Sequence, residues 1–412
     1  MNKFKTLLMG ASLVTATLPI IASQCNGSGQ AGKDSNAINS DVTGLKQLKL
    51  DLITPWELEN NTQGIASLRN NIENRMNQYL AAKKANFTVK VKMVNDDKYK
   101  TVAQNISKGE TDLGFISSGS IISEKNYLAN FNPNIIQTWT SKFAGDIKDA
   151  TFSTTDSNLE TIAQNEQAKF DLIPWSEQWN DVANGNGWNG SAYTKFYQDY
   201  SSTSTDNLVS YQRGLIAIVA DDEMTAKIKQ AWANKNLAQF LSYGIGLGKA
   251  SSGSKYILPE ALMKKQFNSA NNKQFLSFAD LQSNKQYQNT FVKAALKDAN
   301  DPKNSNIHIF FDNEGIYAFT HFKASKQYAY AVNNSIRPNQ KISFLTVTDP
   351  LPYNIGIVSK QVADNDLKLV TEALNDLASG SNPIYGRNIG FVSYSDDTLQ
   401  NFKNKIDTII GE

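Results

Sequence analysis

The sequence has few of the residues on which most catalytic and metal sites depend. Its 412 residues include one cysteine, Cys25, and two histidines, His308 and His321, and no HExxH motif is present. A single cysteine excludes a disulfide framework and a metal site built from several cysteines. The metalloprotease signature is also absent. We therefore expect no metal and no resident cofactor.

Two further enzyme motifs are incomplete. The stretch Gly244–Lys249 (GIGLGK) is similar to a P-loop, but Tyr243 stands where the first glycine is required and Ala250 stands where a Ser or Thr is required. No serine has the two flanking glycines of a G-x-S-x-G nucleophile motif. We therefore expect a protein that is not an enzyme.

Net charge is nearly absent from most of the chain. Lys3 and Lys5 are the only charged residues among the first 25, and the remaining residues include 39 bases and 39 acids. A balanced chain offers no bulk positive field to a nucleic acid. We expect no nucleic-acid partner, and any charged ligand must be held by local groups.

Long apolar runs are missing except at the N-terminus. Two lysines precede the predominantly apolar segment Leu7–Ala22, as in an export signal. Cys25 follows Ala22-Ser23-Gln24, which resembles a bacterial lipobox, although Gln24 departs from the usual Gly or Ala. We predict a signal peptide over 1–24 and an acylated, palmitate-bearing Cys25 that anchors the chain to the extracytoplasmic face of the cell membrane. A cleaved secretory signal with an incidental cysteine is the alternative.

The segment after the cysteine is polar and rich in Gly, Ser and Asn. Such a composition is typical of a flexible linker. We predict a tether over 25–44, and a folded part that begins at Leu45.

From Leu45 onward, short apolar runs alternate with longer helical patterns, which indicates an α/β protein. The predicted strands are Leu48–Thr54, Phe87–Val94, Asp112–Ile116, Tyr211–Ala220, Ile307–Phe311, Ile316–Phe319, Ile342–Thr348 and Tyr353–Ser359. The predicted helices are Ile65–Ala85, Val102–Ser107, Ile121–Leu128, Asp221 to about Phe240, Tyr256–Leu262, Asp366–Ala378 and Thr398–Ile410. Residues 130–206 look less regular.

Two short serine and glycine clusters stand at predicted helix starts. Ser117, Ser118, Gly119 and Ser120 follow a predicted buried strand, and Ser251-Ser252-Gly253-Ser254 precedes the helix that begins near Tyr256. Free backbone N–H groups and serine hydroxyls at a helix start form an anion site without net charge. The alternative is that these serines only cap helices.

Tryptophans supply candidate ligand platforms. Trp56 ends the first predicted strand, where ligands bind in open α/β sheets. Trp179 and Trp188 lie in turn-rich sequence among polar neighbours. They could stack on a flat or cationic ring, or they could belong to the core.

Six segments of this chain resemble, in order, the extracytoplasmic thiamine-binding lipoproteins of mollicutes, which are also described as high-affinity transport-system lipoproteins. The segments are LKLDLIT-PW, TDLGFISSGS, YQRGLIAIVADDE, SSGSKYILPEAL, IHIFFDNEGIYAFTH and TDPLPYNIGIV, within residues 48–358. The serine turn before Pro259 and the turn Asp349-Pro350-Leu351-Pro352 are more distantly similar to the phosphonate-binding proteins of ABC importers.

The resemblance implies a type 2 periplasmic-binding-protein fold, with two α/β lobes and a ligand cleft between them. The first lobe would be discontinuous, over 45–218 and 346–412, with the second lobe over 219–345. The implied ligand is thiamine or thiamine pyrophosphate, carried as transported ligand rather than as cofactor. The implied partners are an ABC permease and its ATPase, and we expect a monomer.

The ligand-binding residues predicted on this basis fall into three groups. Aromatic rings would hold the ligand's rings, donors would hold phosphate oxygens, and acids would face the cationic ring or the aminopyrimidine edge. The full set is Trp56, Ser117, Ser118, Gly119, Ser120, Trp179, Trp188, Asn189, Tyr211, Arg213, Ser252, Gly253, Ser254, Asp312, Glu314 and Tyr353. Two alternatives stay open: a binder of phosphonates or other phosphoesters, and a surface adhesin or interaction lipoprotein without a small ligand.

Overall fold

A computed structural model describes most of the chain after Val42. The described residues are 44–55, 58, 60–95, 98–123, 129–141, 159–172, 208–287, 289–316, 332–379, 382–386 and 389–411. The predicted signal peptide, the predicted lipid attachment site and nearly all of the predicted tether lie outside them.

Seven strands form the first sheet. The strands are β1 (Lys46–Ile53), β2 (Phe87–Val94), β3 (Leu113–Ile116), β4 (Asn134–Ser141), β5 (Leu208–Val209), β15 (Ile355–Val358) and β16 (Ser393–Thr398). Their spatial order is β16-β4-β15-β3-β1-β2, and β5 pairs with β4. The first three run parallel to one another, and β15 runs antiparallel to β3 and β4.

Five strands form the second sheet, in the order β11-β8-β12-β7-β13. They are β7 (Gly214–Ala220), β8 (Ile245–Leu247), β11 (Phe291–Lys293), β12 (Ile309–Asn313) and β13 (Lys341–Val347). The strand β8 is parallel to both of its neighbours, whereas β7 is antiparallel to β12 and β13. The small ladder β9 (Asn268–Ser269) with β10 (Asn272–Lys273) lies outside both sheets.

Helices cover these sheets and bury their apolar faces. In the first helix, Ile72, Met76 and Leu80 recur every four residues and are fully buried in the core that also contains β1 and β2. The helices are α1 (Thr62–Ala82), α2 (Tyr99–Ser107), α3 (Ser118–Ser123), α4 (Leu159–Leu172), α5 (Asp222–Ala233), α6 (Leu237–Leu241), α7 (Leu258–Phe267), α8 (Phe278–Ser283), α9 (Asp364–Ser379) and α10 (Leu399–Ile410). Each sheet has its own apolar core.

Asparagine side chains from neighbouring helices form hydrogen bonds with the backbone of the two outermost strands of the first sheet, β2 and β16. On β2, the Asn77 amide donates to the Val89 carbonyl at 3.0 Å and accepts from the Val89 N–H at 2.8 Å. On β16, the Asn375 amide makes the same pair of bonds with Tyr394, both at 2.8 Å. Each amide imitates one residue of a further strand, so these edge groups are satisfied without another chain.

Among the described strands, the chain passes from the first sheet to the second after β5 and returns after β13. The helix α4, between β4 and β5 in the sequence, packs in the core of the second sheet. A short two-stranded ladder between β6 (Tyr211–Gln212) and β14 (Leu351–Pro352) joins these crossings. We call this ladder the hinge ladder, and the region around it the hinge. The strand β7 begins at Gly214 and β13 ends at Val347, and both belong entirely to the second sheet. The lobe boundaries at 218/219 and 345/346 stay a prediction, and sheet membership places the crossings a few residues outside them.

Most of the periodic segments form the predicted elements. The strands β8, β11 and β16 and the helix α8 were not predicted. The predicted strand Ile316–Phe319 beyond Ile316 and the predicted helix Ile121–Leu128 beyond Ser123 lie outside the described residues. Three further differences concern the remaining segments. The strand predicted over Tyr211–Ala220 is interrupted at Arg213, where the chain leaves the hinge ladder for the second sheet. The single helix predicted from Asp221 to about Phe240 is two helices, because Lys235 has a positive φ of 54° and Asn236 caps the next helix. The region predicted as less regular contains β4 and α4. Among the described residues, no helix has the length and apolar character needed to cross a membrane.

Candidate functional site

The polar turns of both sheets follow the carboxyl ends of parallel strands. In the first sheet, Ser117 follows β3. In the second sheet, the turn around Ser252 follows β8, and Glu314 follows β12. Ligands of open α/β sheets bind at such strand ends. The two lobes therefore present their polar turns at the edges where a ligand is expected.

The two serine and glycine clusters lie against each other. A Cβ atom on Gly119 would be 2.5 Å from the Ser251 carbonyl oxygen and 2.7 Å from the Gly253 nitrogen. Only glycine permits such a close approach of two backbones. Both clusters, predicted separately from the sequence, thus belong to one junction between the lobes.

Two of the serine hydroxyls at this junction are held by protein groups. Ser118 is fully buried, and its hydroxyl donates to the carbonyl oxygens of Pro352 and, at 3.0 Å, Tyr353. Ser254 is buried too, and its hydroxyl donates to the Asn313 side-chain oxygen. The Ser118 bonds attach the first turn to the hinge, and the Ser254 bond attaches the second turn to the end of β12. Both hydroxyls therefore stabilise the structure of the junction.

Three other serines of the same clusters are half-buried. The Ser117 and Ser120 hydroxyls lie 2.9 Å apart, and Ser117 Oγ also accepts from the Ser120 N–H at 3.3 Å. Ser252 begins a π-helical turn over Gly253–Ile257, and its Oγ accepts from the Lys255 N–H at 3.3 Å. Because a hydroxyl that accepts a bond keeps its own proton, the Ser252 hydroxyl can donate to an anion.

Asp312 has its partners inside the second lobe. The carboxylate is fully buried, and one oxygen lies 2.8 Å from the Lys255 ammonium. The backbone N–H groups of Leu296 and Asn313 donate to it at 3.0 Å and 2.8 Å. A buried carboxylate requires such partners. Asp312 thus holds the serine turn in place through its ion pair with Lys255. Its predicted contact with a cationic ring stays a prediction.

Arg213, Tyr211 and Glu314 lie together beside the hinge. The Arg213 guanidinium is fully buried, donates to the Thr348 carbonyl at 3.0 Å, and lies over the Tyr211 ring at 5.3 Å. The Glu314 N–H donates to the Arg213 carbonyl at 3.0 Å. Arg213 therefore stabilises the start of β7, and its predicted contact with phosphate is a separate matter that stays a prediction.

Tyr353 follows the hinge ladder directly. Its N–H donates to the Ser210 carbonyl at 2.6 Å, and its ring meets Phe391 edge-on with centroids 5.5 Å apart. Burial raises the pKa of Tyr353 to about 12, against a smaller opposing effect of its hydrogen bond to Thr140. Tyr353 is therefore neutral at physiological pH.

The remaining predicted ligand residues cannot be placed. Trp56, Trp179, Trp188 and Asn189 lie outside the described residues, so their roles stay predictions. Lys255, which the sequence interpretation missed, directly follows Ser254 and is the only charged side chain of the turn Ser251–Tyr256. Within the described part of the chain, no cluster of three or more potential metal ligands occurs.

Two α/β lobes joined by a short hinge ladder, with polar turns meeting at the junction, define a solute-binding protein of the type 2 periplasmic-binding-protein class. The sequence profile of the family described as CypI, extracytoplasmic thiamine-binding lipoprotein, matches residues 63–412. The chain belongs to this family.

Relatives and a solved structure support the same class. The chain is 33% identical over 310 residues to the high affinity transport system protein p37 of Mycoplasma pneumoniae, covering 73% of this chain and 76% of that protein. It is 30% identical over 305 residues to the p37 protein of Mesomycoplasma hyorhinis, covering 72% and 68%. The structure of the Mycoplasma hyorhinis protein Mh-p37, proposed to be a thiamine pyrophosphate transporter, matches with a TM-score of 0.72 and 25% identity, covering 89% of this chain and 98% of that one. These relatives are proteins of transport systems rather than enzymes.

Proposed function

We propose that this protein binds thiamine or thiamine pyrophosphate at the junction between its lobes and delivers it to an ABC permease with its ATPase. It would act as a monomer anchored to the extracytoplasmic face of the membrane through acylated Cys25, without catalysing a reaction. The observation that carries this proposal is the meeting of two serine turns, each at a helix start, beside the hinge.

The geometry indicates which groups would hold a phosphate tail. Gly119 and Gly253 are too close for a phosphate to fit between their backbones. The tail would therefore lie beside this contact, against the half-buried hydroxyls of Ser117 and Ser252 at the two helix starts. Since the mature chain has no net charge, directed donors of this kind must supply most of the attraction.

Calorimetric titration with thiamine pyrophosphate, thiamine and methylphosphonate tests the proposal. We expect saturable binding of a thiamine compound and a rise in melting temperature, since a ligand that binds only the folded state stabilises it by mass action. Preference for methylphosphonate would favour a phosphoester binder. No binding of any of the three would favour an adhesin without a small ligand.

A serine variant locates the phosphate. Ser117→Ala/Ser252→Ala should weaken thiamine pyrophosphate by about ten- to a hundred-fold, since two charge-assisted hydrogen bonds are removed, and should leave thiamine unchanged. Ser251→Ala is the matched control, because Ser251 is exposed in the same turn. Equal losses for both ligands would make these serines helix caps only.

A further inference from the structure

We propose that Asn354 recognises the amino-substituted edge of the ligand's pyrimidine ring, and that Tyr99 holds the Asn354 amide in position. This inference rests on the proposed function, since it concerns one part of the proposed ligand. It names a specificity-determining residue and a positioning residue that the sequence interpretation did not include.

The backbone of Asn354 is fixed at the end of the first sheet. The residue stands between β14 of the hinge ladder and β15. Its carbonyl oxygen accepts from the Thr138 N–H at 3.3 Å and from the Thr138 hydroxyl. The next residue, Ile355, pairs with Ile116, the last residue of β3. Asn354 therefore lies beside the strand end from which Ser117 emerges.

The side chain of Asn354 reaches across the ends of the parallel strands. Its Nδ2 donates to the Tyr99 hydroxyl at 3.3 Å, and Tyr99 is the first residue of α2, which follows β2. In the sheet order β15-β3-β1-β2, Asn354 lies at the end of β15 and Tyr99 follows β2. The bond between them therefore extends across the carboxyl ends of β3 and β1, the two strands that lie in between. The pair thus spans the edge at which the ligand's ring system is expected.

The amide retains hydrogen-bonding capacity for a ligand. Asn354 and Tyr99 are both half-buried. The bond to Tyr99 uses one of the two Nδ2 protons, and within the described residues no protein group donates to Oδ1. A carboxamide pairs in a bidentate way with an amino group and the adjacent ring nitrogen, as asparagine does with adenine. A 4-aminopyrimidine presents the same pair of groups.

The test compares thiamine with oxythiamine, in which an oxo group replaces the pyrimidine amino group. The wild-type protein should prefer thiamine. Asn354→Ala should weaken thiamine by about ten- to a hundred-fold, leave oxythiamine nearly unchanged, and so abolish the preference. Asn401→Ala, which removes an exposed amide that donates to Asp397 at 3.4 Å, is the control and should keep it.

Tyr99→Phe tests the positioning role, because it keeps the ring and removes only the hydroxyl that holds the amide. The ratio of thiamine to oxythiamine affinity should fall, whereas a merely structural loss would weaken both compounds alike. The control is Tyr79→Phe, which removes a hydroxyl bound to Glu372 at 3.2 Å.

The two proposals can fail separately. A wild-type protein that binds thiamine, together with an Asn354→Ala variant that keeps the full preference for it, would overturn this inference and leave the proposed function intact. A wild-type protein that binds no thiamine compound would overturn both. An unchanged affinity ratio in Tyr99→Phe would remove the positioning role.

Discussion

Gly119 of the first lobe and Gly253 of the second lie backbone against backbone, with 2.7 Å between the place of a Gly119 Cβ and the Gly253 nitrogen. The contact lies beside the hinge, because a Cβ on Gly253 would meet Leu351 of the hinge ladder at 2.6 Å. The proposed binding of one ligand by both serine turns therefore requires that these two backbones stay in contact.

Gly119→Ala should weaken thiamine pyrophosphate by about tenfold or more, since the new methyl group pushes backbone away from backbone and displaces both serine turns. Gly253→Ala is the matched variant, because its methyl group meets the end of the Leu351 side chain at 2.6 Å and the Gly119 nitrogen only at an ordinary contact distance of 4.0 Å. The loss of thiamine pyrophosphate affinity should be smaller in Gly253→Ala than in Gly119→Ala. Calorimetric titration of both variants measures the difference, and equal affinities would show that the turns do not act together.

Lys255→Met should lower the free energy of unfolding by about 3–5 kcal/mol, because it leaves the buried Asp312 carboxylate without its cation. The Lys255→Met/Asp312→Asn double variant should recover a large part of that loss, since the charge is removed as well. Urea unfolding of the single and double variants gives the coupling free energy. Additive losses would mean that the two side chains do not stabilise each other.

Buried tyrosines should make the protein sensitive to alkali. Burial raises the pKa of Tyr353 to about 12 and raises those of Tyr385 and Tyr394 well above the usual value. Above pH 10 the unfolded chain loses these protons while the folded chain keeps them. The contribution of these tyrosines to the free energy of unfolding is therefore fully present below pH 10. It falls as the pH rises toward 12, by about 1.4 kcal/mol per pH unit for each tyrosine. Urea unfolding at pH 8, 10 and 11 measures this slope, and a flat profile would contradict it.

Tyr394→Phe should be neutral or stabilising at pH 7. The Tyr394 hydroxyl is buried and has no hydrogen-bond partner within the part of the chain that the structure describes, so its removal relieves an unsatisfied polar group. The same variant should make the alkaline slope shallower, since one buried tyrosine with a raised pKa is gone. A loss of more than about 1 kcal/mol at pH 7 would show that the hydroxyl is satisfied after all.

Cys25→Ser should release the protein from the membrane and leave its melting temperature unchanged. The reason is that the proposed acyl anchor is attached at this residue, before the folded part begins. Partitioning between detergent and aqueous phases measures the release. A Cys25→Ser protein that stays in the detergent phase would contradict the lipobox interpretation.

Periodicity predicted those elements whose side chains alternate cleanly. Phe87–Val94 is a strand over the predicted residues, because its alternate residues are buried in the core. β4 was missed, since its sequence NIIQTWTS mixes buried polar residues with apolar ones. Those polar residues are buried because β4 is an inner strand, paired with β15 and β16, and such tertiary context is not visible in a local window.

The site was predicted in part for the same reason. Sequence patterns placed both serine turns at helix starts, as the structure does. They could not distinguish a half-buried hydroxyl from one that holds the hinge, and the predicted binding of an anion stays a prediction. Ser118 binds carbonyl groups more than 230 positions away along the chain. Asn354 and Tyr99 meet only because β15 and α2 lie at the same end of the sheet, so no motif marks the pair.

Native mass spectrometry of the purified full chain, before and after addition of thiamine pyrophosphate, tests the central claim most directly. The account predicts one bound thiamine compound per chain, retained from the expression host or taken up from solution, and a lower bound fraction in Gly119→Ala at the same ligand concentration. A wild-type protein that retains no thiamine compound at saturating concentration, while folded, would contradict it.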